Sequence, residues 1–371
     1  MKVLQLISSR GFFGAENVVA ELACSLEASG DSVIVGVFNN RHTGDAGSSE
    51  LAEQAAKRGL RTKSFECGGR IDLKTVGAIR RFCRENGVEV IHSHGYKSNI
   101  YSYLANRSLK KRLVTTCHNW INASSRMSIY TKLDKFFLKR FDIVAAVSDD
   151  VKNQLLKAGI DPEKLRLIGN GINLEKFRGA GSARQRTRES LGIPGNAVVV
   201  GTVGRLSPEK GYGFLLEAAK EVLAKRKDCF FLFVGDGEIR DSLEEKAASL
   251  GISGQVVFAG KRSDIPEALS AMDVFVLSSL TEGQPMALLE AMAAGVPSVC
   301  TAVGDVPKIL RGGEAGIIVP PSESGKLAEG ILRLLKDREL GASLSARAAA
   351  TVAELYSSGR MAAEYRACYK G

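Results

Sequence analysis

With 371 residues, 44% of them apolar and 25% charged, the chain has enough apolar surface for two packed cores and too little charge imbalance for global disorder. No apolar stretch approaches the ~20 residues of a membrane-spanning helix. Net charge is +10, and the surplus is uneven: residues 1–175 carry 26 Lys and Arg against 18 Asp and Glu, whereas 176–371 carry 25 against 23.

In chain order, short β-branched runs alternate with helical patterns, the signature of parallel sheets covered by helices. Strands are predicted at 3–7, 32–38, 62–65, 90–92, 113–116, 143–147 and 165–168, with a helix over 15–29 whose Val18, Val19, Leu22 and Leu26 recur at helical spacing. A Gly-, Ser-, Ala- and Arg-rich stretch over 178–188 lacks apolar periodicity and reads as a surface connection, placing a boundary near 172–195. A second series follows at 197–203, 230–234, 256–259, 274–277 and 298–301, with a helix over 214–223. The expected division is a first domain over 1–175, a second over 176–356, and a terminal helix over about 357–371 that could pack back on the first, although the pattern alone does not say which domain it joins. Seven scattered cysteines without a C-x-x-C pair argue for reduced thiols rather than a disulfide framework or structural zinc. The first strand has no extended apolar core or small-residue cleavage site beside it, so a cytoplasmic location is expected.

The most informative stretch is DVFVLSSLTEGQPMALLEAMAAGVPSVCT over 273–301. A buried strand runs into a polar loop with Glu282, Gly283 and Gln284, and Pro285 suits a first helical position. That puts a helix N-terminus at the carboxyl end of a parallel strand, where backbone N–H groups of Gly283, Gln284 and Met286 favour an anion such as a diphosphate. Glu290 is the lone carboxylate of an otherwise apolar helix and so asks for a ligand. The loop after strand 197–203 supplies Gly204, Arg205 and Lys210 before Gly211, and the loop after 230–234 supplies Gly235, Asp236 and Gly237. Arginine suits bidentate phosphate contact and lysine acts as a point charge.

Together with GFFGAE at 11–16, VSD at 147–149, NGI at 170–172, GRL at 204–206, KG at 210–211, EG at 282–283 and EAM at 290–292, these residues resemble the retaining nucleotide-sugar glycosyltransferases of the GT-B fold, specifically the large fourth family, also called glycosyl transferases group 1. The resemblance implies two Rossmann-like, doubly wound domains facing each other across a cleft, the first for the acceptor and the second for the nucleotide sugar. It implies that Arg205 and Lys210 bind the diphosphate, that Glu290 accepts from the ribose hydroxyls, and that Glu282 contacts the donor sugar. Gly14 would let the first loop approach the phosphates. Gly204, Gly235, Gly283, Gln284 and Pro285 complete the donor site. His118, after strand 113–116, is implied to act near the sugar hydroxyls or the reacting centre. His94 could line the acceptor side, with His92 structural.

Cations and a helix N-terminus can neutralise a departing diphosphate without metal. The chain has no D-x-D triplet and no metal-ligand spacing among its histidines, so neither metal nor other cofactor is expected. No carboxylate nucleophile is identifiable for double displacement, and the resemblance implies a front-face retaining mechanism. The partners expected are a UDP-sugar, favoured over a GDP-sugar, and a saccharide or lipid-linked acceptor in bacterial polysaccharide assembly. A nucleotide-sugar 2-epimerase of the same fold and a non-catalytic nucleotide-binding protein remain alternatives. NAD is disfavoured, since the first loop lacks G-x-G-x-x-G. Arg107, Lys110, Lys111 and Arg112, followed by the basic-aromatic stretch 125–141, could lie on an anionic membrane surface or attract a diphosphate-lipid. No nucleic-acid motif accompanies that charge.

Overall fold

The computed structural model describes residues 1–8, 14–40, 50–68, 72–118 and 134–371, which form two α/β units, Met1–Gly171 with Ser358–Gly371 and Ile172–Ser357. Of the sequence features above, residues 11–13 of the first glycine loop and 125–133 of the basic stretch lie outside the described residues.

The first unit contains strands β1 (Lys2–Ile7), β2 (Ser32–Asn40), β3 (Arg61–Cys67), β4 (Val90–His94), β5 (Arg112–Cys117), β6 (Ile143–Ala146) and β7 (Leu165–Leu167). All pair in parallel, in the order β3-β2-β1-β4-β5-β6-β7. β4 is buried along its whole length, as befits a central parallel strand covered on both faces. The helix Asp149–Lys157 shows why the VSD sequence occurs there. The Ser148 hydroxyl accepts from Val151 N at 3.2 Å, and Asp149 and Asp150 sit in the first turn, where the helix dipole favours them.

The second unit contains β8 (Val198–Val203), β9 (Cys229–Val234), β10 (Val256–Gly260), β11 (Val274–Leu277), β12 (Ser298–Thr301) and β13 (Ile317–Val319), parallel and ordered β10-β9-β8-β11-β12-β13. Alternate residues of β11 feed two cores: Val274 and Val276 join Phe231, Phe233 and Leu215, while Phe275 and Leu277 join Leu288, Leu289 and Met292. The strand order reverses between β8 and β11. At such a switch point the loops leaving the carboxyl ends of adjacent strands diverge and leave room for a ligand.

One sequence expectation changes. The stretch over 178–188 is not a free surface connection, because it leads into the helix Arg184–Ser190. Arg188, only 3% exposed, donates to the carbonyls of Gly195, Ala197 and Ala271 and to Asp273 Oδ2 at 2.8 Å. Arg184 grips the other oxygen of Asp273, and Val199 N donates to Oδ2, so this segment is stitched to the second sheet. The terminal helix Ser358–Lys370 belongs to the first unit, against the helix Gly14–Ala28 and β5. At the chain crossings, Ile172 N donates to Tyr356 O at 2.9 Å within the second unit, and Gly171 N meets Met361 Sδ at 3.2 Å within the first.

Candidate active site

Four loops from the carboxyl ends of β8, β9, β11 and β12 are locked together. Leu280 N, after β11, donates to the Glu209 carbonyl at 2.8 Å, and Ser278 Oγ donates to the Lys210 carbonyl at 2.9 Å. Thr301, the last residue of β12, donates from Oγ1 to the Ser279 carbonyl at 2.6 Å. Three glycines are required by close backbone approach. A Cβ on Gly211 (φ +63°) would lie 2.2 Å from Ser278 O, one on Gly235 (φ +140°) 1.9 Å from Gly204 O, and one on Gly304 (φ +51°) 2.2 Å from Glu282 O.

On this framework Lys210 Nζ donates to Glu282 Oε1 at 2.7 Å, and Ser279 Oγ donates to the same oxygen at 2.6 Å. The two side chains are 22% and 11% exposed, so the pair is partly shielded yet open to solvent. Arg205 lies about half exposed and bonds Glu209 Oε1 at 2.9 Å, which also accepts from Ser207 Oγ at 2.7 Å. Burial pushes the Glu209 carboxyl up, but these hydrogen bonds outweigh it and hold the group below its ordinary value. Beneath them the buried Tyr212 hydroxyl leaves no space for a side chain at Gly204, where a Cβ would sit 2.7 Å from its oxygen. Burial, then the charges of Glu282 and Glu209, push that phenol up, so it stays neutral.

Arg205, Lys210 and Glu282 therefore share one loop cluster with Gly204, Gly235 and Gly283. Pro285 differs from expectation. Its φ of −73° and ψ of 111° are extended, so it caps the helix, which begins at Met286 and runs to Ala293. Gln284 and Pro285 are buried in the turn, and Glu290 lies part-buried in that helix's second turn. The turn is held by Asp305 N, which donates to Gly283 O at 3.0 Å. Glu209, Ser207, Ser278, Ser279 and Gly304 were not singled out from the sequence. Glu209 lies between Arg205 and Lys210 in the loop after β8, whereas nothing local marks Gly304 as the backbone that passes beneath Glu282.

In the first unit, Gly14 opens the helix Gly14–Ala28 and is exposed. His92 and His94, two apart on β4, put their rings on one face, 4.3 Å between centroids, and His118 just beyond β5 stacks on His94 at 5.4 Å. His92 Nδ1 bonds Tyr369 Oη at 2.7 Å, and its Nε2 bonds Thr116 Oγ1 at 2.8 Å. Thr116 Oγ1 in turn bonds Tyr365 Oη at 2.6 Å. His94 Nδ1 bonds His118 Nε2 at 3.2 Å. Burial, reinforced by the His118 imidazole, takes His92 down to about 3, and burial takes His118 down to about 4. All three rings are thus neutral at physiological pH, and His118 is a neutral hydrogen-bonding group rather than a cation.

At the opposite, amino-terminal edge of the first sheet, a cavity of about 520 Å³ is lined by Arg107, Lys110, Lys111, Arg112 and Arg140, with Asp142 among them. The Asn106 amide clamps Lys111 by both N–H and carbonyl at 2.8 Å each, and Lys110 adopts φ of 52°. Among the described residues no group of three His, Cys, Asp or Glu could hold a metal ion, and no helix is long and apolar enough to cross a membrane.

Comparison with known proteins places this geometry. The family described as Glycosyltransferase Family 4 matches residues 13–176, and Glycosyl transferases group 1 matches residues 183–351. Among curated relatives, the UDP-Gal:alpha-D-GlcNAc-diphosphoundecaprenol alpha-1,3-galactosyltransferase of Escherichia coli is 28% identical over 72% of this chain and 72% of its own length. The N-acetyl-alpha-D-glucosaminyl L-malate synthase of Bacillus anthracis is 26% identical over 80% of this chain and 78% of its own. Among solved structures, Anabaena HepE with UDP-glucose superposes with a TM-score of 0.86 at 22% identity, covering 100% of this chain and 99% of that one. The lipopolysaccharide glycosyltransferase WaaG gives a TM-score of 0.73 at 18% identity, covering 98% and 99%. Two parallel α/β units, the loop cluster at the second unit's switch point and the family matches across both halves identify the chain as a retaining glycosyltransferase of family 4, with the GT-B fold.

Proposed function

We propose that the enzyme transfers a hexose from a UDP-sugar, with retention, to a saccharide or lipid-linked acceptor in bacterial surface polysaccharide assembly. The observation that carries this reading is the Lys210–Glu282 pair at the switch point of β8 and β11. HepE, solved with UDP and with UDP-glucose, and the UDP-Gal-dependent relative support UDP over GDP.

In this reading Lys210 keeps one N–H on Glu282 and turns the others to the diphosphate, while Arg205 swings from Glu209 onto the phosphates. The four side chains have no net formal charge, so attraction for the anion comes from where the donors point, together with the helix N-terminus at Met286. Glu282 orients Lys210 and reaches the donor sugar. Glu290 accepts from the ribose, and the glycines admit the backbone to the phosphates. As the glycosidic bond breaks, the bonding pair leaves with the diphosphate oxygen, which takes the acceptor's proton as the acceptor oxygen bonds the same sugar face. His118 serves as a neutral hydrogen-bond partner near the sugar, and the chemistry needs no metal.

The experiment is a donor screen read by product mass, alongside calorimetric titration with UDP, GDP and NAD. Turnover with a UDP-sugar and acceptor, undiminished in excess chelator, is expected. An epimer formed from the donor alone would assign the chain to an isomerase, and binding of NAD but not UDP would overturn the donor class. The basic cavity at Arg107–Arg112 is read as a contact for an anionic membrane surface. Sedimentation with anionic vesicles at low salt tests it, and equal recovery with neutral vesicles removes it.

A further inference from the structure

The buried histidines of the first unit are more ordered than their share of the proposed chemistry requires. Resting on the reading of His118 as a hydrogen-bond partner of the sugar, we propose that His94 is a positioning residue that fixes which nitrogen of His118 carries the proton. His94 is 3% exposed, and its Nδ1 faces His118 Nε2 at 3.2 Å. Its other nitrogen, Nε2, is buried with no hydrogen-bond partner among the described residues.

Only two neutral arrangements are compatible with that bond. If His118 donated from Nε2, His94 would accept at Nδ1 and carry its proton on the buried Nε2, leaving an orphaned N–H. If His94 donates from Nδ1, its Nε2 holds only a lone pair and no buried donor is orphaned. Buried unpaired N–H groups are the rarer defect in folded proteins, so the second arrangement is adopted. His118 then accepts at Nε2 and carries its proton on Nδ1. Its remaining polarity is set as a donor, the polarity that a sugar hydroxyl oxygen accepts.

The register of the His94 ring is held from behind. His92 packs against it and is fixed at both nitrogens, by Tyr369 and by Thr116, with Tyr365 on the same threonine oxygen. The backbone of His94 is tied as well, since Ser98 Oγ donates to its carbonyl at 2.9 Å. The helix Ser358–Lys370 thus reaches His118 through two ring contacts and one hydrogen bond.

The test uses the full chain labelled with ¹⁵N-histidine. Four histidines occur in the sequence, so His42→Gln, His92→Gln and His118→Asn assign the spectrum by elimination. Proton on Nδ1 at both His94 and His118 is expected; a proton on Nε2 of His118 overturns the proposal. His94→Leu should release His118 into a mixture of tautomers, and His94→Asn, whose amide nitrogen takes the place of Nδ1, should restore one. With UDP-glucose or UDP-galactose as donor, His94→Leu should lower kcat by about 10–100-fold with the donor KM nearly unchanged, and His94→Asn should recover most of it. A single His118 tautomer that survives His94→Leu, or a loss that His94→Asn does not recover in folded protein, means His94 only fills space. Full activity of His118→Ala would instead remove the underlying reading of His118, whatever the spectrum shows.

Discussion

Lys210 and Glu282, 72 residues apart, meet at 2.7 Å because the loops after β8 and β11 leave neighbouring strands on either side of the switch point. The pair couples the loop that supplies the cations to the turn that opens the helix Met286–Ala293. Lys210→Ala is expected to lower kcat/KM by ~10²–10³-fold, about 2.7–4 kcal/mol of transition-state stabilisation. In a double-mutant cycle with Glu282→Ala, the coupling should be about 1–3 kcal/mol, and strict additivity would show that the two act separately.

A different effect is expected at Glu290, which we propose holds the ribose rather than developing charge. Glu290→Ala should weaken UDP itself by about 2 kcal/mol in calorimetric titration. Unchanged UDP affinity in a folded variant refutes the ribose contact.

The glycine contacts are steric and permit a sharp comparison. Gly235→Ala puts a methyl 1.9 Å from the Gly204 carbonyl, and it should cost at least about 2 kcal/mol in urea unfolding and abolish UDP binding. Gly254→Ala, with nothing within 4 Å of the new Cβ, should be near neutral on both counts.

Asp273 joins Arg184, Arg188 and the Val199 amide. Asp273→Ala leaves a nearly buried guanidinium without its carboxylate, and about 2–4 kcal/mol of destabilisation is expected, tempered by the partial exposure of Asp273. Arg188→Met, which removes the charge as well, should cost less than Arg188→Ala because it fills the volume. Equal losses in denaturant titration would show that volume is unimportant there.

The histidine cluster makes stability depend on pH with a definite sign. Burial lowers His92 from 6.5 to about 3 and His118 from 6.5 to about 4, so between those values the unfolded chain binds more protons than the folded one. This contribution is fully present above pH 6.5 and is lost progressively as pH falls toward 4 and then 3. His92→Gln should flatten the acid side of the profile. An unaltered slope would place the titration elsewhere.

Much of this was legible in the sequence, for identifiable reasons. Period-two and period-3.6 patterns locate the long strands and helices, but β13 is a three-residue apolar run, Ile317–Val319, in which neither period can show. Arg205, Lys210 and Glu282 stand out because cations and carboxylates follow apolar strands at Gly-rich turns. Gly304 and Ser279 do not, since their roles depend on contacts between loops far apart in sequence. Pro285 was legible as a helix boundary but not as its cap, because both positions suit a residue with a fixed φ and no N–H. The 178–188 stretch misled for a related reason: an arginine that satisfies three carbonyls and a carboxylate from inside looks, in composition, like a solvated one.

The return of the helix Ser358–Lys370 to the first unit sets an order of events during synthesis. Tyr365 and Tyr369 are translated after every residue of the second unit, yet they complete hydrogen bonds to β4 and β5 made more than two hundred residues earlier. A nascent chain paused after the second unit would hold His92 with one nitrogen unpaired. Completion of the first unit therefore waits for synthesis of the whole second unit, and splitting the enzyme at residue 171 would yield an amino-terminal fragment that needs 358–371 supplied in trans.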